Sequence, residues 1–206
     1  MKKTLALVLC MLFVSAFAVN KASAGSNTLY FFAGGVNVLT EPDITDMGEI
    51  EVAEFGPAFG VQYMANIVPM FGIGIDGMYN MFGGKEYTVG ADSLEFKPTI
   101  GTVMLVAKLS PFPVLLIRPY AMAGIGWNFL RITMEGTIGG TSFSESEDSN
   151  GYVICIGAGA DIVLGNLIIG AEGRWHQAAV NFDDDVTEDD INYYSILAKV
   201  GFKFGN

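Results

Sequence analysis

Three features of the sequence predict an all-β fold, an eight-stranded antiparallel up-and-down barrel that crosses a membrane with its strands. Apolar residues recur at every second position over most of the chain, and helical spacing does not recur. Long and short connections alternate between the predicted strands. Charged residues inside the strands share one parity, whereas the opposite parity is bulky and apolar. This arrangement predicts a polar lumen inside the ring and lipid outside it.

The first 24 residues are interpreted as a secretory signal peptide. Lys2 and Lys3 precede an apolar run, and Ala22 and Ala24 flank Ser23 in the small-residue pattern of a cleavage site. We therefore expect an exported barrel domain at residues 25–206. Cys155 is its only cysteine, so an intrachain disulfide is excluded there.

The composition combines acidity with hydrophobicity. The chain has a formal net charge of −11, yet 51% of its residues are hydrophobic. Charged and apolar groups must therefore be separated in space. The acidic balance argues against nucleic-acid binding, which requires a basic surface. Phosphate loops, dinucleotide-binding fingerprints and nucleophile elbows are absent from the sequence, so we expect neither a cofactor nor an enzyme.

The predicted strands are long enough to cross a bilayer, which takes about ten tilted residues. They cover residues 28–39, 55–66, 70–82, 93–108, 116–130, 151–163, 167–177 and 192–204. The long connections are 40–54, 83–92, 131–150 and 178–191, and the short ones are 67–69, 109–115 and 164–166. Long external loops and tight periplasmic turns are typical of bacterial outer-membrane barrels.

Strand charges are expected to face the lumen, because a charge facing lipid at the midplane costs about 2–4 kcal/mol. The predicted lumenal set is Asp76, Glu95, Lys97, Arg118, Asp161, Glu172, Arg174, Lys199 and Lys203. Lys108 and Arg131 fall at strand ends, and Leu29 and Phe31 share the face assigned inward. We expect cross-strand pairs between Glu172 and Lys199 and between Arg118 and Asp161. Such pairs form either a structural plug or a gated polar path.

A soluble barrel of the lipocalin kind is the alternative fold. It requires bulky apolar side chains inside, whereas the minor face here carries glycine and charge. Aromatic residues near the strand ends fit the interfacial girdles of a transmembrane barrel. They are Tyr30, Tyr63, Tyr79, Phe96, Trp127, Phe129, Tyr152, Trp175, Tyr194, Phe202 and Phe204.

One predicted loop concentrates carboxylates that hard divalent cations favour. Its acids are Asp183, Asp184, Asp185, Glu188, Asp189 and Asp190. Without a regular ligand spacing, the segment is either a solvated repulsive loop or a loose site for calcium or magnesium, including bridging to lipopolysaccharide. His176 and Cys155 lack sequence partners for zinc or catalysis, and Cys155 is interpreted as a lumenal filler.

Several segments resemble small eight-stranded outer-membrane barrels of the OmpA/OmpX type. They are RPYAMAGIGWNF (118–129), AEGRW (171–175) and the closing VGFKF (200–204). KPTIGTVMLVAKL (97–109) is also similar to the outer-membrane protein W family. The resemblance implies residence in outer-membrane lipid and insertion by the barrel-assembly machinery. Phe202 and Phe204 would then supply the assembly signal of the last strand.

The sequence leaves three functional hypotheses open. The first is a structural or surface-interaction barrel with acidic external loops. The second is a narrow channel or a lateral route for small hydrophobic molecules, as similarity to the W family implies. The third is a lipid-modifying barrel enzyme, which the absence of a nucleophile–base arrangement disfavours. Neither the partner of the loops nor the oligomeric state follows from the sequence.

Overall fold

The computed structural model describes residues 26–39, 55–89, 92–180 and 189–205. The predicted signal peptide lies outside these residues. The strands are β1 (Asn27–Val38), β2 (Gly56–Val68), β3 (Phe71–Met81), β4 (Lys85–Val89), β5 (Asp92–Leu109), β6 (Ile117–Ile138), β7 (Thr141–Leu164), β8 (Leu167–Val180) and β9 (Asp189–Phe204). None of the described residues forms a helix that could cross a membrane.

The strands close into an antiparallel ring of eight. Consecutive strands pair with each other except for β3 and β4; β9 pairs with β1, and β3 pairs directly with β5. The short β4 pairs only with the beginning of β5 and extends the β3 position beyond the ring. The predicted eight-stranded antiparallel fold is therefore confirmed, and the ring leaves no sheet edge within its wall.

Two of the predicted long loops contain strand. Residues 131–150 form a β-hairpin in which β6 and β7 continue to a turn at Gly139 and Gly140, both with positive φ. Residues 85–89 form β4, in the segment predicted as loop 83–92. The hairpin was missed because the predicted strands were ended at the border of the apolar band, although Ile132 and Met134 continue the inward parity of Leu130 on β6.

The outer face carries an apolar band between two groups of aromatic side chains. At the end with the long connections these are Phe59, Tyr79, Trp127, Phe129, Tyr152, Trp175 and Tyr194; at the end with the tight turns they are Tyr63, Phe112, Phe202 and Phe204. The rings of Phe59 and Tyr79 lie 5.6 Å apart, and those of Tyr63 and Phe204 6.3 Å apart. Directly beyond Phe129, the outer face becomes polar at Arg131. The band therefore has the extent and borders of a membrane-spanning region.

The inward parity of two strands differs from the prediction. In β1, Tyr30 and Phe32 point inward and are buried, whereas Phe31 faces outward with 52% of its surface exposed. Tyr30 is therefore a lumenal residue and not part of a girdle. In β5, Met104 and Lys108 belong to the inward set, which also includes the even-numbered Phe96.

The lumen is filled by apolar as well as polar side chains. The apolar members near the long-connection end are Val36, Phe82, Ile100, Leu130, Val153 and Tyr193, and methionines 64, 78, 104 and 122 line the wall below them. The sequence prediction of a small or charged inner face holds for β7 and β8 but not for β5. Because apolar side chains occupy both faces of β5, its alternation does not distinguish lipid from lumen.

Candidate functional site: the polar lumen

The centre of the lumen is organised around Arg174 on β8. Its guanidinium donates to both carboxylate oxygens of Asp76 on β3, at 3.0 and 2.9 Å, and its Nε donates to Glu172. Gln62 on β2 adds a hydrogen bond to Asp76 at 3.0 Å. Because Asp76 and Arg174 are fully or almost fully buried, this bidentate contact is an ion pair shielded from solvent.

A second group of ion pairs lies closer to the tight turns. Lys108 donates to Asp161 at 2.5 Å, although β5 and β7 are not neighbouring strands. Lys199 lies 3.3 Å from Asp161 and 3.2 Å from Glu172, so it joins this group to Arg174. The result is one continuous network across the barrel. We refer to Asp76, Lys108, Asp161, Glu172, Arg174 and Lys199 as the lumenal network.

The lumenal network contains three acids and three cations, so its formal charges cancel. Each member is at least nine-tenths buried. Isolated charges at such positions would be strongly unfavourable, and mutual pairing with hydrogen bonds offsets that desolvation. The geometry therefore favours a rigid, electroneutral cross-brace between strands on opposite sides of the ring.

Two tyrosines hold the lysines in place. Lys108 and Lys199 lie against the rings of Tyr30 and Tyr120, at 3.8 to 5.0 Å from the ring centroids. Tyr120 also donates to Glu172 at 2.6 Å. Glycines make room for these rings: a Cβ at Gly201 would lie 2.5 Å from a Tyr30 ring carbon, and one at Gly159 would meet the Tyr120 hydroxyl. Tyr120 has the inward parity of its strand, and this sequence signal could have identified it as a lumenal residue.

The lumen becomes mainly apolar on the side of the long connections. His176 stacks on Tyr193 with ring centroids 4.5 Å apart, and the Tyr193 ring meets Phe82 edge-on at 5.7 Å. Cys155 lies 4.0 Å from the His176 ring nitrogen and is buried. These contacts place His176 and Cys155 within a packed layer of the lumen.

Three of the predicted lumenal positions differ in the structure. Glu95 and Lys97 have the outward parity and lie beyond the apolar band, where Lys97 pairs with Glu95 at 2.9 Å and Glu135 at 2.7 Å. Arg118 lies opposite Asp161 in the β6–β7 register, but its Nε donates to the Leu115 carbonyl at 3.1 Å. The expected Arg118–Asp161 pair is therefore wrong, because Lys108 and Lys199 occupy the Asp161 carboxylate.

The remaining predicted residues divide between described and undescribed positions. Glu172 and Lys199 contact each other as expected from their strands. Lys203 points inward near the tight-turn end, and Phe202 and Phe204 face outward on β9. Asp183, Asp184, Asp185 and Glu188 lie outside the described residues, and nothing is described of the side chains of Asp189 and Asp190. The part of the chain that is described contains no cluster of metal-ligating side chains.

A closed antiparallel ring with a lipid-facing apolar band and a charged lumen defines a small transmembrane β-barrel. The chain belongs to the family of the outer membrane protein beta-barrel domain, whose model matches residues 4–204. It is therefore a β-barrel protein of the bacterial outer membrane. A comparison with curated protein sequences found no match.

Solved structures of outer-membrane proteins are similar in fold. A major outer membrane protein from Thermus thermophilus aligns with 13% identity and a TM-score of 0.55, over 88% of this chain and 100% of that one. Neisserial surface protein A aligns with 14% identity and a TM-score of 0.51, over 88% of this chain and 98% of that one. Ail, the attachment invasion locus protein of Yersinia pestis, aligns with 15% identity and a TM-score of 0.50, over 87% of this chain and 99% of that one. At these identities the likeness concerns the fold alone.

Proposed function

We propose that this protein is a non-conducting outer-membrane barrel that acts at the cell surface, without catalytic activity of its own. The observation that carries the proposal is the filled lumen. The electroneutral lumenal network crosses the barrel at mid-height, and the packed apolar layer lies between it and the long connections. An ion crossing this interior would have to separate buried ion pairs and then pass among apolar side chains, both of which are costly.

The surface role is supported by the part of the sheet that continues past the outer aromatic group. There β4 and the adjoining ends of β5, β6 and β7 form an extension of the sheet, and the described side chains of β5, β6 and β7 in it are largely polar. Arg131 pairs with Asp148 through two contacts at 2.6 and 2.9 Å, with both side chains more than half exposed. Hydrogen bonds to Glu135 and Glu95 raise the pKa of Lys97. These pairs place charged side chains of both signs on an exposed part of the sheet.

The charge of this extension indicates what kind of partner it suits. Glu145 and Glu147 on β7 are exposed and add to the acids already engaged in ion pairs. The predicted acidic loop follows β8 in the sequence and would add further carboxylates at the same end. A partner with basic groups, or divalent cations that bridge to lipopolysaccharide, matches this charge.

A planar-bilayer recording tests the closed lumen. We expect the purified, folded barrel to insert without discrete conductance steps at moderate salt, because buried ion pairs and apolar side chains fill the described lumen. A general porin recorded in the same bilayers is the positive control for insertion and detection. A steady, large conductance from the barrel would contradict the plug and favour the channel.

Cysteine labelling on intact cells tests which end meets the medium. Ser142→Cys places a thiol beside the hairpin turn, and Ser110→Cys places one in the tight connection at the opposite end. We expect a polymer-linked maleimide, too large to pass through porins, to label Ser142→Cys only. Ser110→Cys is the matched control and should react after the outer membrane is permeabilised. Labelling of Ser110→Cys alone on intact cells would reverse the proposed orientation.

A further inference from the structure

A polar cavity of about 490 Å³ opens at the tight-turn end of the barrel, below the lumenal network. Its volume lies within the range of ordinary small-molecule sites. Lys108 and Asp161 lie in its lining and connect it to the network, while Arg118 and Lys203 line it closer to the turns. Ser110 is among the residues that add hydroxyl or amide groups to this lining.

The charge of the cavity is positive, in contrast to the acidic chain as a whole. Among the described residues that line the cavity, Asp161 is the only acid, and Lys108 and Lys199 already compensate it. Among the described residues, neither Arg118 nor Lys203 has a carboxylate within ion-pair distance. Each side chain is half-buried, so water and dissolved ions reach it.

Arg118 is also held in position. Its Nε donates to the Leu115 carbonyl, which leaves the two terminal nitrogens of the guanidinium available for another acceptor. Lys203 lies on β9, whose backbone is fixed there by a hydrogen bond to Asn166. A planar guanidinium on β6 and an ammonium on β9 line the same cavity, and together they form a donor set that matches phosphate oxygens.

We propose that this cavity is an anion site, open to the periplasmic end, that binds a phosphate group through Arg118 and Lys203. Lys108, paired with Asp161, lines the inner end of the cavity, and nearby hydroxyl groups supply neutral donors. The phosphate belongs either to a soluble phosphate compound or to the headgroup of a phospholipid. A cation is disfavoured as the occupant, because Asp161, the carboxylate among the described lining residues, is already engaged.

Titration calorimetry in a neutral detergent, with inorganic pyrophosphate as the probe, tests the soluble source. A second arm compares nanodiscs of phosphatidylglycerol with nanodiscs of phosphatidylcholine, and measures the lipid retained by the barrel after detergent exchange. We expect saturable binding in at least one arm, weakened roughly tenfold or more by Arg118→Gln or by Lys203→Gln, since each removes a charge-assisted contact. Binding should also fall as salt rises.

Lys97→Gln is the matched control, because Lys97 is a half-exposed cation at the opposite end of the barrel. It should leave binding unchanged. The boiled and unboiled gel mobility of each variant shows whether it is folded, and the two single variants provide independent readings. The absence of binding by the unmodified barrel in both arms would overturn the proposal. Binding that survives Arg118→Gln and Lys203→Gln together in a folded barrel would overturn it equally.

Discussion

Replacing Lys199 with glutamate is expected to prevent stable closure of the barrel. Lys199 lies between Glu172 and Asp161, at 3.2 and 3.3 Å, so Lys199→Glu would bring three carboxylates together in a buried space. The formal charge of the lumenal network would change from zero to −2. Loss of one partner from a buried ion pair costs about 3–5 kcal/mol of folding free energy. The cost of Lys199→Glu should be larger, because repulsion among the three carboxylates is added. β9 pairs with both β8 and β1, so its displacement opens the ring.

The measurement is the heat-modifiable gel shift of the refolded protein, together with its amount in the outer membrane. Lys203→Glu is the matched control: it makes the same charge change on the same strand and face, but in the open cavity near the turns. We expect Lys203→Glu to fold and Lys199→Glu to show no heat-modifiable form. Lys203 is also nearer to Phe204, so an effect through the assembly signal would affect Lys203→Glu more strongly. Equal folding of both variants would show that closure does not depend on the lumenal network.

Replacing Arg174 with methionine is expected to destabilise the folded barrel by about 3–5 kcal/mol, since it leaves a buried acid without its cation. Asp76 would retain only the hydrogen bond from Gln62, while Glu172 would keep Lys199 and Tyr120. The free energy of unfolding can be measured by urea titration in lipid vesicles. Trp127 and Trp175 face outward and report on the loss of the lipid environment.

Arg131→Met is the control that distinguishes the effect of losing a buried ion pair from the effect of losing any ion pair. Arg131 makes a two-point contact with Asp148 like that of Arg174 with Asp76, but on an exposed surface. We expect no measurable change in stability from Arg131→Met, because exposed pairs contribute little. The double variant Asp76→Leu/Arg174→Met should recover part of the loss, since an apolar pair replaces a half-removed ion pair. An equal effect of Arg131→Met and Arg174→Met would contradict the importance of burial.

Much of the fold was predictable from parity along single strands. In β7, Ile154 and Ile156 alternate with Cys155 and Gly157, and the structure places the isoleucines outward and their neighbours inward. The same alternation placed Glu172, Arg174 and Lys199 on the inner face. This succeeds because lipid and a crowded polar lumen demand different side chains, so every second residue is under the same requirement.

The prediction of which residues face the lumen failed where the side chains toward the lumen and toward the outside have similar polarity. Met104 and Val106 point inward on β5, while Val103 and Leu105 point outward, so both faces of this strand are apolar. Lys108 was consequently assigned to a strand end, and Glu95 and Lys97 to the lumen. At the hairpin of β6 and β7, the residues beyond the apolar band are mostly polar, and the segment was therefore assigned to a loop.

The sequence by itself determined the ring of eight strands, the side that faces lipid and most of the charges that avoid it. Only the tertiary structure decided which charges meet. Arg174 reaches Asp76 and Lys108 reaches Asp161 across the lumen, between strands that are not neighbours. Parity specifies which face a side chain occupies, whereas a contact through the lumen depends on the closure and diameter of the ring. For that reason, the lumenal network and the basic cavity below it emerge only when the strands are joined.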